Sequence, residues 1–285
     1  MKPSHPVNGT HLERRADRAA PGFEAGVVHA HTQRGLLERL DPIAIEPAVV
    51  LDLGCGTGAA TVALEKRFRG ARIVGTERSA AMAAAARARR PWLSRAGYVR
   101  CRPAALPFAD GAVDVVYSNL LLAHGDPQPV LAEVARVLKP GGLFAFAALG
   151  PDSLGVLRRA WAAVDDDLHV QRFPDMHDLG DLLVRSGLAD PVLDVDRLSL
   201  EYRSAAGLFA DLTAAAARNV LRGRRTTLTG RDRFRRMTSA LAAAGSGEAI
   251  RVELEIVYGH GWGSGRGTPG GAVHIPAESI PLRRR

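Results

Sequence analysis

The sequence predicts an α/β protein with a doubly wound, mostly parallel sheet and helices on both faces. Two observations carry that reading. Short apolar, β-branched runs alternate with amphipathic stretches of about 10–15 residues, and a glycine-rich turn sits directly between the first run and the helix after it. Residues 1–22 are polar and punctuated by Pro3, Pro6, Gly9, Pro21 and Gly22, which reads as a loose or partly helical arm. The pattern turns helical over 23–40. Residues 48–53 form a short apolar run of the kind buried on both faces of a parallel sheet. A helix follows over 59–68. A second strand covers 73–75 and ends at Glu77, and Ser79 caps an Ala-rich helix over 80–90 that stops at Pro91.

The third and fourth strands are expected over 98–101 and 113–117. A helix opens at Asp126-Pro127 and is closed by Lys139-Pro140-Gly141-Gly142, and a fifth strand covers 143–148. Helices over 152–164 and 175–186, a strand over 192–200 and a helix over 205–218 come next. A long basic stretch then leads to an alternating strand over 250–258, and the end from Gly261 is rich in Gly and Pro. Five divisions result: an N-terminal arm and helix (1–40), a core (41–150), a helical insertion (151–190), closing strands with a helix (191–263) and a flexible tail (264–285).

The composition excludes several classes. The 285 residues suffice for a core without staples. Two cysteines, Cys55 and Cys101, rule out a disulfide scaffold and a four-cysteine zinc site, so no metal is expected. There is no apolar run of about 18 residues and no apolar leader at the start, so the expectation is a cytoplasmic protein with no membrane partner. The net charge of +8 leaves open whether it marks an acidic partner or a compositional bias.

The chemistry starts at Val49-Val-Leu-Asp-Leu-Gly-Cys-Gly-Thr-Gly58. Glycines directly after a strand let the backbone turn tightly and approach a ligand. A dinucleotide would call for Gly-x-Gly-x-x-Gly, with its pyrophosphate on the helix N-terminus. Here the spacing is Gly-x-Gly-x-Gly, and Asp52 lies two residues before the first glycine. A carboxylate there repels a pyrophosphate and suits a cation.

This segment resembles the first motif of the class I S-adenosylmethionine-dependent methyltransferases, whose cofactor carries an ammonium and a sulfonium. The resemblance implies S-adenosyl-L-methionine as cofactor and a Rossmann-like, seven-stranded sheet. The expected sheet has five parallel strands and a closing pair, with helices inserted between strands five and six as a lid. The implied cofactor residues are Asp52, Gly54, Cys55, Gly56, Gly58, Glu77, Arg78, Ala105, Leu106 and Asn119. Glu77 would accept the ribose hydroxyls; the plainer reading is a surface acid at a strand end. Asn119 ends the fourth-strand segment Leu106-Pro-Phe-Ala-Asp-Gly-Ala-Val-Asp-Val-Val-Tyr-Ser-Asn119, where a capping role competes with a ligand role. Where many relatives carry an acid for the adenine amine, this chain has Arg102-Pro-Ala-Ala105, so either backbone and apolar contacts hold the base or cofactor affinity is reduced.

The second half narrows the resemblance. Gly150-Pro-Asp-Ser-Leu154, Ala160-Trp-Ala, Arg172-Phe-Pro-Asp-Met-His-Asp-Leu-Gly-Asp181, Gly187-Leu-Ala-Asp-Pro191 and Val257-Tyr-Gly-His-Gly-Trp262 are similar to the malonyl-acyl carrier protein O-methyltransferases of biotin synthesis. The resemblance spans roughly residues 13–265. It implies transfer of a methyl group to the free carboxylate of malonyl-acyl carrier protein, or of malonyl-CoA; a monomer is expected. A carboxylate is already ionised at pH 7, so positioning is the task and no catalytic dyad is required. Phe23, where relatives have Tyr, and His124, where they have Gln-Trp one residue longer, are candidates to touch substrate. Arg172 and His177 are candidates for the acceptor, although His177 at a helix start also reads as structural.

Residues 218–236 hold eight arginines against Asp232, and Arg283-Arg-Arg285 ends the chain. Arg218, Arg222, Arg224 and Arg225 are candidates to steer an acidic carrier protein; a solvated Arg-rich connection is the alternative. Nucleic acid is not expected, because basic and aromatic residues do not interleave and no Asn-Pro-Pro-aromatic element follows the fourth strand. Two rival functions remain open: a small-molecule methyltransferase of quinone-type metabolism, and an assembly or modification factor with little transfer activity.

Overall fold

The computed structural model describes residues 7–244 and 249–264; the tail expected over 264–285, including Arg283–285, lies outside these apart from Ser264. Seven strands form one sheet: β1 Val49–Leu53, β2 Arg72–Glu77, β3 Gly97–Arg100, β4 Val113–Asn119, β5 Leu138–Leu149, β6 Leu188–Tyr202 and β7 Ile250–Gly263. Their order is β3-β2-β1-β4-β5-β7-β6. The first five strands are parallel, and β7 runs antiparallel to both β5 and β6. The predicted architecture of five parallel strands and a closing pair is what the chain adopts.

Period-two alternation explains the two cores. Val50, Val115, Tyr117, Leu143, Ala145 and Ala147 point to one face, and Leu51, Val116, Phe144, Phe146 and Ala148 to the other. Because both faces are covered, the strands read as continuous apolar runs. The covering helices are α1 Gly9–Ala19, α2 Val27–Glu38, α3 Ala59–Arg67, α4 Ala80–Arg89, α5 Gln128–Val137, α6 Gly155–Ala162, α7 Met176–Arg185, α8 Ala205–Ala214 and α9 Arg231–Ala243. Asn8, Ser79, Asp175 and Ser204 cap four of them, each accepting a backbone N–H in the first turn.

The arm over 1–22, read as loose or partly helical, holds helix α1 and runs into a 3-10 turn over Ala20–Ala25. Two expectations are corrected. The Lys139-Pro-Gly-Gly142 stretch does not separate helix from strand. It lies within β5 as a bulge opposite β4, where Gly141 supplies a φ of 73°. The basic stretch contains α9, whose Met237 and Leu241 are fully buried. Arginine density hid that apolar spacing.

Within the 151–190 insertion, α6 packs on α9 and β7, and α7 on β6 and α5. The loop between them is tied down. His169 stacks on Trp161 with ring centroids 3.7 Å apart and lies 2.7 Å from Asp165, which pairs with Arg233 of α9 at 3.0 Å.

Candidate functional site

The sheet order changes direction between β1 and β4, so chain crossovers leave to opposite faces and a crevice opens at the carboxyl ends of these strands. A cavity of about 510 Å³ occupies it. That lies within the usual range for a small-molecule or cofactor site.

The floor is the glycine loop. Gly54, Gly56 and Gly58 adopt φ values of 78°, 54° and 87°, the left-handed region. Both Gly54 N and Cys55 N donate to Thr76 O at 2.9 Å, pinning the loop to β2. A Cβ on Gly56 would lie 2.9 Å from Phe23 Cε1, and one on Gly58 would lie 3.1 Å from Ala86 Cβ. Gly56 makes room for the Phe23 ring edge; Gly58 lets α3 and α4 approach.

Two acids stand beside the loop. Asp52 is 1% exposed and accepts a hydrogen bond from Thr61 Oγ1 at 2.6 Å. Burial pushes its carboxyl up to about 7, the Glu77 charge adds to that, and the Thr61 bond opposes it. Glu77 accepts from Gly56 N at 3.2 Å and Ser79 N at 2.8 Å. Burial nevertheless holds it above the ordinary carboxylate range. Both acids line the cavity, together with Cys55, Arg78 and Asn119. Asn119 Nδ2 donates to His29 O at 3.1 Å, while its Oδ1 is buried with no hydrogen-bond partner.

The roof comes from the N-terminal segment. Leu12 and Ala16 of α1, Phe23 and Glu24 of the 3-10 turn, and His29, Gln33 and Leu37 of α2 all line the cavity. Polar clasps hold this roof to the loops. Glu24 accepts from Thr57 Oγ1 and pairs with Arg89 at 3.1 Å. Asp17 accepts from Ser79 Oγ at 2.6 Å, and Arg78 Nη2 donates to Gly9 O at 2.9 Å. Phe23 lies with its ring centroid 4.5 Å from that of His29. His29 and His124 are both held down to about 4 by burial, so both are neutral at pH 7. No residue of the 151–190 insertion lines the cavity, so the lid expected there is replaced by the N-terminal roof; Gln171 of the insertion donates to Ala123 O, between the lining residues Leu122 and His124.

Other sequence candidates lie elsewhere. Ala105 and Leu106 do not line the cavity: Leu106 is 5% exposed in the core, with its N–H on Glu133 Oε2 at 2.6 Å. Cys101, Pro103 and Val130 line the corresponding stretch of wall. Arg172 and His177 are exposed and off the cavity. Arg225 is tied to Asp167 at 3.5 Å, Arg224 lies 2.6 Å from His11 Nδ1, and the Arg218 guanidinium sits 5.2 Å from the Phe209 ring centroid. The roof residues Glu24 and His29, and Thr57 and Thr61 of the loop and helix, were not among the sequence candidates. The one available signal was the apolar spacing Leu12-Ala16-Ala19, overshadowed by the prolines around it.

A buried acid poised near neutrality, an open amide acceptor and a glycine cradle suit a ligand with a cationic end and a ribose. Comparison with known proteins agrees. Residues 51–146 match a family described as a methyltransferase domain. Malonyl-[acyl-carrier protein] O-methyltransferase of Halorhodospira halophila is 39% identical over 283 residues, covering 96% of each chain. The Xylella fastidiosa enzyme of the same name is 36% identical over 284 residues, again with 96% of each chain covered. The chain belongs to the malonyl-acyl carrier protein O-methyltransferase family. Its fold is shared more widely. The Bacillus subtilis protein YcgJ superposes with a TM-score of 0.59 at 16% identity, covering 82% of this chain and 98% of its own. In this methyltransferase the glycine cradle, Asp52 and Glu77 occupy the crevice that the fold provides, and α1 and α2 close it. No helix among the described residues is long and apolar enough to cross a membrane.

Proposed function

We propose that this methyltransferase transfers the methyl group of S-adenosylmethionine to the free carboxylate of malonyl-acyl carrier protein, giving the methyl ester that starts pimeloyl synthesis. The end-to-end likeness to relatives of that name carries the reading: 34–39% identity over most of both chains. The bound cofactor supplies an electrophilic methyl group on a sulfonium. The protein's own residues do the rest. Ionised Asp52 and the free Asn119 Oδ1 answer the cationic end of the cofactor, and Glu77 accepts from its ribose. Gly54 and Gly56, with no side chain of their own, let the loop backbone turn tightly beneath the cofactor.

The acceptor carboxylate is ionised at pH 7 and needs no base. Alignment of its oxygen with the methyl–sulfur bond is the remaining requirement, and α1, Phe23 and His124 form the walls available to impose it while excluding water. Esterification removes a negative charge from the end of the acyl chain, which suits later elongation of that chain as if it were apolar.

The test is direct. Purified protein is incubated with S-adenosylmethionine and malonyl-acyl carrier protein, and the carrier's mass is followed. Gain of one methyl group, reversed by mild ester hydrolysis, is the expected result. Methylation of small quinone-type acceptors with none of the carrier, or no calorimetric binding of S-adenosylmethionine, overturns the reading.

A further inference from the structure

Helix α1 has three chemically distinct faces. Leu12, Ala16 and Ala19 turn inward, the first two onto the cavity. Glu13 and Asp17 point to the strand ends, where they meet Arg78, Arg100 and Ser79. His11, Arg14, Arg15 and Arg18 follow i, i+3, i+4, i+7 spacing and form the third face.

A second basic segment lies alongside that third face. Asn8 N donates to Val220 O at 2.8 Å, and Val7 bridges to Leu221. Those backbone contacts bring residues 218–224 against α1, and Arg224 Nη2 lies 2.6 Å from His11 Nδ1. Arg15 is partly buried, and Arg218, Arg18 and Arg224 act on it with like charge. Among the described residues no carboxylate pairs with Arg14, Arg15, Arg18, Arg218, Arg222 or Arg224. The acids of α1 are committed to its other side, and Asp167 is taken by Arg225 and Arg233. Ala215 and Ala216, just before this segment, line the cavity. A half-buried arginine among arginines at the wall of an active-site cavity is an uncompensated positive field, and such a field favours an anionic partner.

We propose that the arginine face of α1 and residues 218–224 form one docking surface for an acyl carrier protein, whose acidic body and phosphate-linked arm complement it. This rests on the malonyl-carrier reading above. The surface answers the question that the +8 charge raised: the basic segment stands beside the catalytic cavity.

The test compares three acceptors: malonyl-acyl carrier protein, malonyl-CoA and the malonyl thioester of N-acetylcysteamine, which has no phosphate. A variant of exposed positions, Arg14→Gln/Arg18→Gln/Arg222→Gln, is made alongside the single variant Arg15→Gln. The first keeps the test valid if the second fails to fold. The expected result is a rise of about tenfold or more in KM for the carrier substrate, a smaller rise with malonyl-CoA and none with the short thioester. In wild type, added salt raises KM for the carrier alone. Unchanged KM for the carrier overturns the surface, as does an equal rise with all three acceptors. An equal rise with carrier and CoA assigns the face to a phosphate alone and overturns a protein partner. Calorimetry with carrier protein bearing its arm but no malonyl group reads the surface separately. Binding by wild type that the variants lose supports docking even if wild type methylates none of the thioesters, an outcome that would refute the proposed reaction instead.

Discussion

Thr61 Oγ1 donates to Asp52 Oδ2 at 2.6 Å, joining the first turn of α3 to the end of β1 across the glycine loop. The bond fixes one carboxylate oxygen, and the Thr61 backbone N–H supports the same carboxylate. It does not offset burial, so the Asp52 carboxyl stands at about 7 without a cation beside it.

A cationic ligand that requires ionised Asp52 therefore releases a proton on binding below pH 7. S-adenosylmethionine affinity, measured by calorimetry, should fall by about tenfold between pH 8 and pH 6, since each pH unit below the carboxyl value costs about 1.4 kcal/mol. In Asp52→Asn that dependence should vanish and affinity at pH 8 should drop. A flat profile in wild type removes Asp52 from the cofactor site. Without cofactor the sign for folding is opposite to that of a paired carboxylate. The folded state holds the proton that the unfolded chain loses above about 4. The Asp52 contribution thus weakens stability progressively as pH rises from there to about 7.

Glu77 joins two backbone N–H groups, those of Gly56 and Ser79. Glu77→Ala should weaken S-adenosylmethionine binding by about 1–3 kcal/mol, the range for losing charged hydrogen bonds. Glu77→Gln should recover part of it. Affinities equal to wild type in both would show that the acid serves only the loop.

Gly56 faces two obstacles to substitution: a φ of 54° and a Phe23 ring edge 2.9 Å from where Cβ would stand. Gly56→Ala should cost about 1–2 kcal/mol of stability through the backbone alone, read by denaturant unfolding. Combining it with Phe23→Ala should relieve the steric part and leave the backbone part. Full recovery in the double variant would mean that the left-handed geometry is not a constraint there.

Glu24 clasps the roof to the glycine loop through Thr57 and to α4 through Arg89. Glu24→Ala should leave the sheet intact while amide exchange over residues 20–25 and 55–58 accelerates and cofactor dissociation quickens. If exchange there stays at wild-type rates, the apolar contacts of Phe23 hold the roof without the clasp.

Leu241 is fully buried on α9, in the segment that reads as a basic connection. Leu241→Ala should destabilise the chain by about 2–5 kcal/mol in thermal or denaturant unfolding. A loss within a few tenths would place α9 outside the cooperative core.

The strands, the glycine loop and its two acids were legible because each is a local requirement. Val50 and Leu51 both needed an apolar face, Gly54 and Gly56 needed positive φ beside a ligand, and Ser79 needed only the N–H of Met82 three residues on. The roof was not legible, because Glu24 finds Thr57 and Asp17 finds Ser79 over separations that no sequence period records. Leu106 was misplaced for the same reason: Glu133, 27 residues away, turns its backbone into the core.

By itself the sequence determined the sheet, the glycine loop and the presence of concentrated positive charge, all set by short-range spacing and residue chemistry. Only tertiary structure decided what that charge adjoins. Pairing of residues 7–8 with 220–221 set the arginines of α1 beside those of 218–224 at the cavity wall, and claimed Arg225 for Asp167. Charge is a property of composition, but a field is a property of position, and position here comes from contacts more than two hundred residues apart in the chain.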